Sequence, residues 1–337
     1  MKKMLLLGFL VGFFSCDDGD LQIEEVDFDE AQIESCPGLE DPTQTTFFFK
    51  IEEDEALLLN LAGGLIQNET SAPGTRASTI PEPSNLIYRF FSENVTSAYF
   101  CDAVPPLTPT VVKENLATAG DISIDTRVDT LTADTKNYSH TISIKNLALL
   151  NDQGEQLTDL STMDYGDFIT RPKNSAKLDV PFSNYSDLDI TECTAAPVAD
   201  NTRLFKIIND EFISLDVAAA DSLFVNAATD SVPRNLDLEN REIFKYTVFN
   251  TLMDNALACS ASFGEDIKSW HFVSTSGSLN VETVASAPDV NGSIAFTHTI
   301  TLENMVLTLK GAGANGNDVS IAAIPLVEFG TYTTVQE

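Results

Sequence analysis

The amino-acid sequence predicts an all-β protein, in which a signal peptide and an acidic tether precede two tandem homologous β-sandwich (Ig-like or similar) domains. Three observations carry that expectation. Short segments alternate apolar and polar residues, with Gly, Asn, Asp and Pro between them, the mark of half-buried strands and turns. The chain repeats itself at a displacement of about 158 residues, widening to 164 near the end of the copies, and four of its cysteines fall in matching places.

The chain begins with Lys2 and Lys3, an apolar run from Met4 to Phe14, and then Ser15-Cys16. That is the order of parts in a secretory signal. The run is shorter than the roughly 20 apolar residues a membrane-spanning helix needs. Phe13-Phe14-Ser15-Cys16 resembles the lipobox of bacterial lipoproteins. The resemblance implies cleavage of residues 1–15 and lipidation of Cys16, with several acyl chains giving stable attachment. Asp17-Asp18-Gly19-Asp20 resembles the acidic surface-export tag of Bacteroidota lipoproteins, which implies the outer face of the outer membrane; a periplasm-facing lipoprotein is the alternative. Across nearly its whole length the chain is similar to uncharacterised exported lipoproteins of flavobacteria, a likeness that implies an address and a layout but no activity.

Residues 16–35 read as the lipidated cysteine and acidic tether: Asp17 to Ser35 holds nine acids and no Lys or Arg. Without residues 1–15 the chain carries 17 basic against 51 acidic residues. Such a field repels nucleic acid and anionic headgroups, so no nucleic-acid partner is expected. The expected partners are the membrane, through the lipid, and an extracellular glycan or protein ligand.

The duplication organises the rest. Phe49-Lys50-Ile51 returns as Phe205-Lys206-Ile207, and Leu57, Leu59 and Leu61 as Ile213, Leu215 and Val217. Glu52-Glu53-Asp54 and Ile208-Asn209-Asp210 stand where a hairpin turns. Ser139 to Asn146 returns as Thr297 to Asn304, and Tyr165-Gly166 with Phe168 as Phe329-Gly330 with Tyr332. The expected domains are 36–170 and 193–337, joined by a linker over 171–192. Strands are expected at Phe47 to Ile51, Ala56 to Leu61, Leu86 to Phe91, Ala98 to Cys101, Asp121 to Val128, His140 to Leu150 and Tyr165 to Thr170, each with a counterpart. Within the His140 strand the apolar parity flips between Ile144 and Leu147, and again between Leu302 and Met305. A flip needs an extra residue, a β-bulge, with Asn146 and Asn304 at the left-handed position that asparagine tolerates.

With Cys16 assigned to lipid, four cysteines remain, and four allow three pairings. The duplication selects Cys36 with Cys101 and Cys193 with Cys259, 65 and 66 residues apart. Disulfides fit an oxidising compartment; the alternative, a metal site, lacks CxxC spacing and neighbouring histidines.

His140 and His298 share parity with Ile142, Ile144, Ile300 and Leu302, so both are expected as inward-facing structural residues satisfied by hydrogen bonds. Trp270 and His271 have Lys113 and Glu114 at the matching places and stand outside the shared framework. GxSxG, HExxH and P-loop patterns are absent from the sequence. We therefore expect no catalytic residues, no metal and no cofactor. Asn151-Asp152-Gln153-Gly154 reads as a turn rather than a calcium loop, having no EF-hand spacing. Asp129-Thr130-Leu131, Asp221-Ser222-Leu223 and Asp230-Ser231-Val232 resemble O-glycosylation sites of exported Bacteroidota proteins. The expected function is a non-catalytic binding, adhesion or envelope-structural module, with a carbohydrate-binding component of polysaccharide uptake as the alternative and a carboxylate-based hydrolase behind it.

Overall fold

The computed structural model describes residues 26, 28–132, 135–151, 154–171, 182–239, 241–310 and 317–336. Cys16, the expected signal peptide, most of the expected tether, Asp152 and Gln153 of the expected turn, residues 172–181 of the expected linker and residues 311–316 lie outside them.

The chain is all-β. The first sheet contains β1 (Glu34–Ser35), β2 (Phe47–Glu52), β3 (Glu55–Asn60), β4 (Arg76–Ile80), β5 (Asn85–Phe91), β6 (Val111–Leu131), β7 (Lys136–Leu150) and β8 (Gln156–Thr170), with a short helix α1 (Ser97–Cys101) after β5. The second contains β9 (Thr191–Glu192), β10 (Asn201–Ile208), β11 (Glu211–Ala218), β12 (Arg234–Asp237), β13 (Phe244–Phe249), β14 (Ser269–Ala285), β15 (Ile294–Leu309), β16 (Val319–Ser320) and β17 (Ile324–Gln336), with α2 (Asn255–Ala258) after β13. The spatial order β1-β2-β3-β5-β6-β7-β8 is matched by β9-β10-β11-β13-β14-β15-β16, with β17 also on β15.

Each sheet makes a sandwich by bending over itself. One end of β6 pairs with β5 through Leu116, and the other end pairs with β4 through Gly120 to Ile124. Between these ends β7 holds an extra residue, because Asp121 faces Lys145 while Ala119 faces Ala148. The same excess separates Glu303 from Val306 opposite Ser278 and Ser276. Asn146 and Asn304 take positive φ, 54° and 50°, at these bulges. Apolar side chains of the two layers then meet: Phe48, Leu57 and Leu59 pack with Ile122, Ile124, Ile142, Ile144 and Tyr165. The Tyr165 hydroxyl crosses the core to donate to the Leu57 carbonyl at 2.9 Å.

The disulfides Cys36–Cys101 and Cys193–Cys259 sit in equivalent places. Closing a loop of this length contributes about 4 kcal/mol in the chain-entropy model. Ala98 to Cys101, expected as a strand, belongs instead to helix α1. Four residues are too few for alternation to tell the two apart, and the helical turn lays Tyr99 and Phe100 over Phe49 and Phe91. The expected tether and linker each contain residues that pack into the following domain: Val26 and Phe28 join the first core, and Tyr185, in the 3₁₀ turn Phe182–Tyr185, joins the second.

Candidate functional site

Three polar constructions stand out, one of them on the shared framework and so present twice. In the first, the buried His140 lies between two threonines, with Thr126 Oγ1 2.9 Å from Nδ1 and Thr170 Oγ1 2.9 Å from Nε2. Arg76 donates to Thr126 Oγ1 at 2.8 Å, and Thr170 donates to Asn68 Oδ1. The direction of the chain fixes the imidazole's protons. Thr170 gives its hydrogen to Asn68, so Nε2 is the nitrogen that donates to Thr170, and Nδ1 accepts from the Thr126 hydroxyl, which itself accepts from Arg76. Burial, aided by the Arg76 charge, lowers the His140 pKa to about 4.

The second domain repeats this construction. Arg234 donates to Thr283 at 2.7 Å, Thr283 and Thr334 flank His298 at 2.8 and 2.9 Å, and Thr334 donates to Asn226 at 2.5 Å. His298 is likewise held below its ordinary pKa, first by burial and then by Arg234. In both copies the chain pins a loop to four strands, and both ring nitrogens are used. The histidines had a signal in the sequence. The partners Asn68 and Arg76 had one too, recurring as Asn226 and Arg234 at the same displacement of 158, but only the fold brings them to the ring.

The second construction fastens the domains together. Lys136, at the start of β7, reaches Asp210 at 2.9 Å and Glu211 at 2.6 Å in the β10–β11 hairpin. Its ammonium also lies 5.4 Å from the Tyr138 ring centre. Burial acts to lower the Lys136 pKa, but the two carboxylates outweigh it and hold the group well above its usual value, as a cation. Around it Val128, Leu131 and Tyr138 of the first domain enter the apolar core of the second, and Asn209 donates to Glu69 at 2.6 Å.

The third is a cleft of about 560 Å³ on the outer face of the second sheet, within the size range of small-molecule sites. Its lining includes Arg203, Lys245, Thr247, Phe263, Trp270 and His271. Arg203 is buried and binds Asp216 through two bonds, Nε to Oδ1 at 2.5 Å and Nη2 to Oδ2 at 2.7 Å, while Nη1 donates to the Ala258 carbonyl at 2.9 Å. Lys245 Nζ stands 3.8 Å from Asp216 Oδ2. His271 is held by Thr247 at Nδ1 and Ser269 at Nε2, both at 3.0 Å. Burial, then the charges of Lys245 and Arg203, lower its pKa. Trp270 packs back against the main core rather than standing out as a platform.

The first domain has a cleft of about 530 Å³ elsewhere, between residues 29–33 and Lys50, Asp164, Gly166 and Asp167, but at the place equivalent to this one its outer face is filled, for a reason visible rung by rung. The rung Arg203–Asp216 is Phe47–Asn60 there, and Thr247–His271 is Arg89–Glu114, an ion pair at 2.6 Å that occupies the space. Phe47, Phe49 and Phe100 form an aromatic cluster over the remainder. Sequence reasoning singled out Trp270 and His271 as departures from the repeat; it missed Arg203, Asp216, Lys245 and Thr247, whose departures show once the strands are in register.

Among the described residues no helix is long and apolar enough to cross a membrane, and no group of three or more His, Cys, Asp or Glu side chains is placed to hold a metal ion. Comparison with protein-family models, with curated proteins and with solved structures gives no match to this chain.

Proposed function

We propose that the chain is a lipid-anchored lipoprotein, displayed on the outer face of the outer membrane, whose two fastened domains act as a non-catalytic binding module with the ligand seated in the second. The address rests on the lysine-led apolar opening, on the acids after Cys16, and on Cys16 being the cysteine left over once the other four pair. The binding role rests on one observation. A duplicated framework keeps its polar chain, disulfide and bulge in both copies, yet on the outer face one copy is filled by Arg89–Glu114 and the other opens into a cleft.

Glycan and matrix-protein arrays probed with the mature protein test the role. The expected result is a hit that disappears when Thr247→Arg and His271→Glu import the first domain's ion pair. A hit indifferent to that double substitution, or turnover of a polymer without binding, overturns it. Protease shaving of intact cells tests the address; a protein that survives until the outer membrane is opened faces the periplasm instead.

A further inference from the structure

We propose that the cleft takes a sugar acid, a pyranose ring bearing a single carboxylate, with Lys245 as the group that receives the charge. This rests on the binding reading above and gives it a chemistry.

The charge count inside the cleft comes first. Arg203 is a cation already matched: two of its nitrogens hold both Asp216 oxygens, and a third is taken by the Ala258 carbonyl. Asp216 also pairs with Lys245, but only at 3.8 Å, and the Lys245 side chain is 28% exposed. Lys310, on the same rim, is matched by Asp318 at 3.0 Å. Lys245 is therefore the cation of the three whose ion pair is longest, in a protein whose formal net charge is −32. Exposed Glu242 is the acid in the lining that opposes it, and no ion pair joins the two.

The remaining lining chooses what carries the carboxylate. Thr247, Ser260 and Ser269 line it with hydroxyls; Thr247 and Ser269 hold the two ring nitrogens of His271, and each hydroxyl keeps a lone pair that can accept from a sugar hydroxyl. Phe263 and Val198 supply the apolar wall for a ring face. The surrounding acidic field sets the number of charges: it repels a polyanion at long range, whereas one carboxylate can be matched locally by Lys245.

Calorimetric titration of the mature protein with cellobiouronic acid, cellobiose and hexanoate tests this, because the first two differ only in a carboxylate for a hydroxymethyl. A charge-assisted hydrogen bond predicts about tenfold or more tighter binding of the acid than of cellobiose. Lys245→Met is expected to erase that ratio, Lys245→Arg to keep most of it, and Glu242→Gln to raise it. Both Lys245 variants change a partly exposed side chain, and their melting temperatures will show that the fold is intact.

Three results overturn the proposal: equal binding of acid and cellobiose, a ratio that survives Lys245→Met, or hexanoate binding as tightly as the sugar acid. Absence of any binding overturns it too. In each of these cases the binding reading is judged separately, by whether an array hit is lost when Thr247→Arg and His271→Glu fill the cleft.

Discussion

The two domains agree where the fold is held and differ where it meets solvent. Arg76–Thr126–His140–Thr170–Asn68 and Arg234–Thr283–His298–Thr334–Asn226 are the same construction. Across the outer face, by contrast, Phe47, Arg89 and Glu114 give way to Arg203, Thr247 and His271 on equivalent rungs. Buried polar groups resist change because each loses its partner if altered alone. On the outer face the exchange is made pair by pair, Arg203–Asp216 for Phe47–Asn60 and Thr247–His271 for Arg89–Glu114, so that each of these polar groups keeps a partner while one copy is filled and the other opens. The comparison also assigns tasks: the first domain offers its end to a joint, and the second offers a cleft.

The agreement has one internal exception, and it yields the largest expected effect. Gly120 and Gly277 hold equivalent places at the bend. A methyl group on Gly120 would meet the Cδ1 tip of Ile80 at 3.0 Å, whereas at Gly277, where φ is +108°, it would meet backbone atoms of Glu303, Asn304 and Met305 at 2.7 to 3.0 Å. Backbone strain and overpacking together predict about 4 kcal/mol lost by Gly277→Ala. Ile80 can turn aside, so Gly120→Ala is expected to cost about 1 kcal/mol, at the low end of overpacking. Guanidinium unfolding of the two variants measures the difference, and equal costs would show the two bends to be alike after all.

Next come the histidines. His140→Ala strips two buried threonine hydroxyls of their partner and leaves a void, for about 3 kcal/mol; His298→Ala should cost about the same. The pH dependence gives an independent reading. With the folded pKa of His140 lowered to about 4, the unfolded chain takes up the proton first. The stability held by the neutral ring is therefore full above the ordinary histidine pKa of about 6.5 and is lost as pH falls towards 4, about 3 kcal/mol in all. His140→Ala should remove that portion of the acid slope, as measured by unfolding midpoints from pH 7 to 4. A slope unchanged in the variant would mean that the ring titrates freely.

Smaller again is the joint. Lys136→Met leaves Asp210 and Glu211 facing each other without their cation, costing about 2 kcal/mol at the low end for a broken interfacial charge pair. Two unfolding transitions should replace a single one, with a broader distribution of lengths in solution scattering. A single sharp transition in the variant would place the coupling in Val128, Leu131 and Tyr138 alone.

These features were not equally visible in the sequence. Alternation and duplication exposed the sandwich layout, and the parity flip at Asn146 and Asn304 located a bend, because each signal is local and occurs twice. The disulfides followed from spacing. Arg76 and Asn68 recur with the repeat, yet nothing local ties either to a histidine more than sixty residues away. The cleft was least visible of all. Its charge logic depends on Arg203 lying opposite Asp216 across one hairpin and on Lys245 arriving from a third strand, a neighbourhood made by pairing. Phe28 and Tyr185, placed in tether and linker by the acids, Lys and Pro around them, are core residues because a strap needs only one large side chain to be held.

The smallest effect tests the bulges. A left-handed φ costs an ordinary L-residue about 1 kcal/mol, and asparagine and glycine less, so Asn146→Ala and Asn304→Ala should each lose about that much. Glycine separates the two positions. Asn146 Nδ2 donates to Asp121 Oδ2 at 2.7 Å across the strand, a bond on the exposed face, and Asn146→Gly forfeits it along with some chain entropy. Aspartate 121 has Ser278 as its counterpart in the second domain, where the strand partner is Glu303 rather than Lys145. Asn304→Gly is therefore expected to lie closer to wild type than Asn146→Gly by a few tenths of a kcal/mol. Matched denaturation curves for the four variants will show whether asparagine stands at both bends for its backbone alone, or at the first also for its side chain.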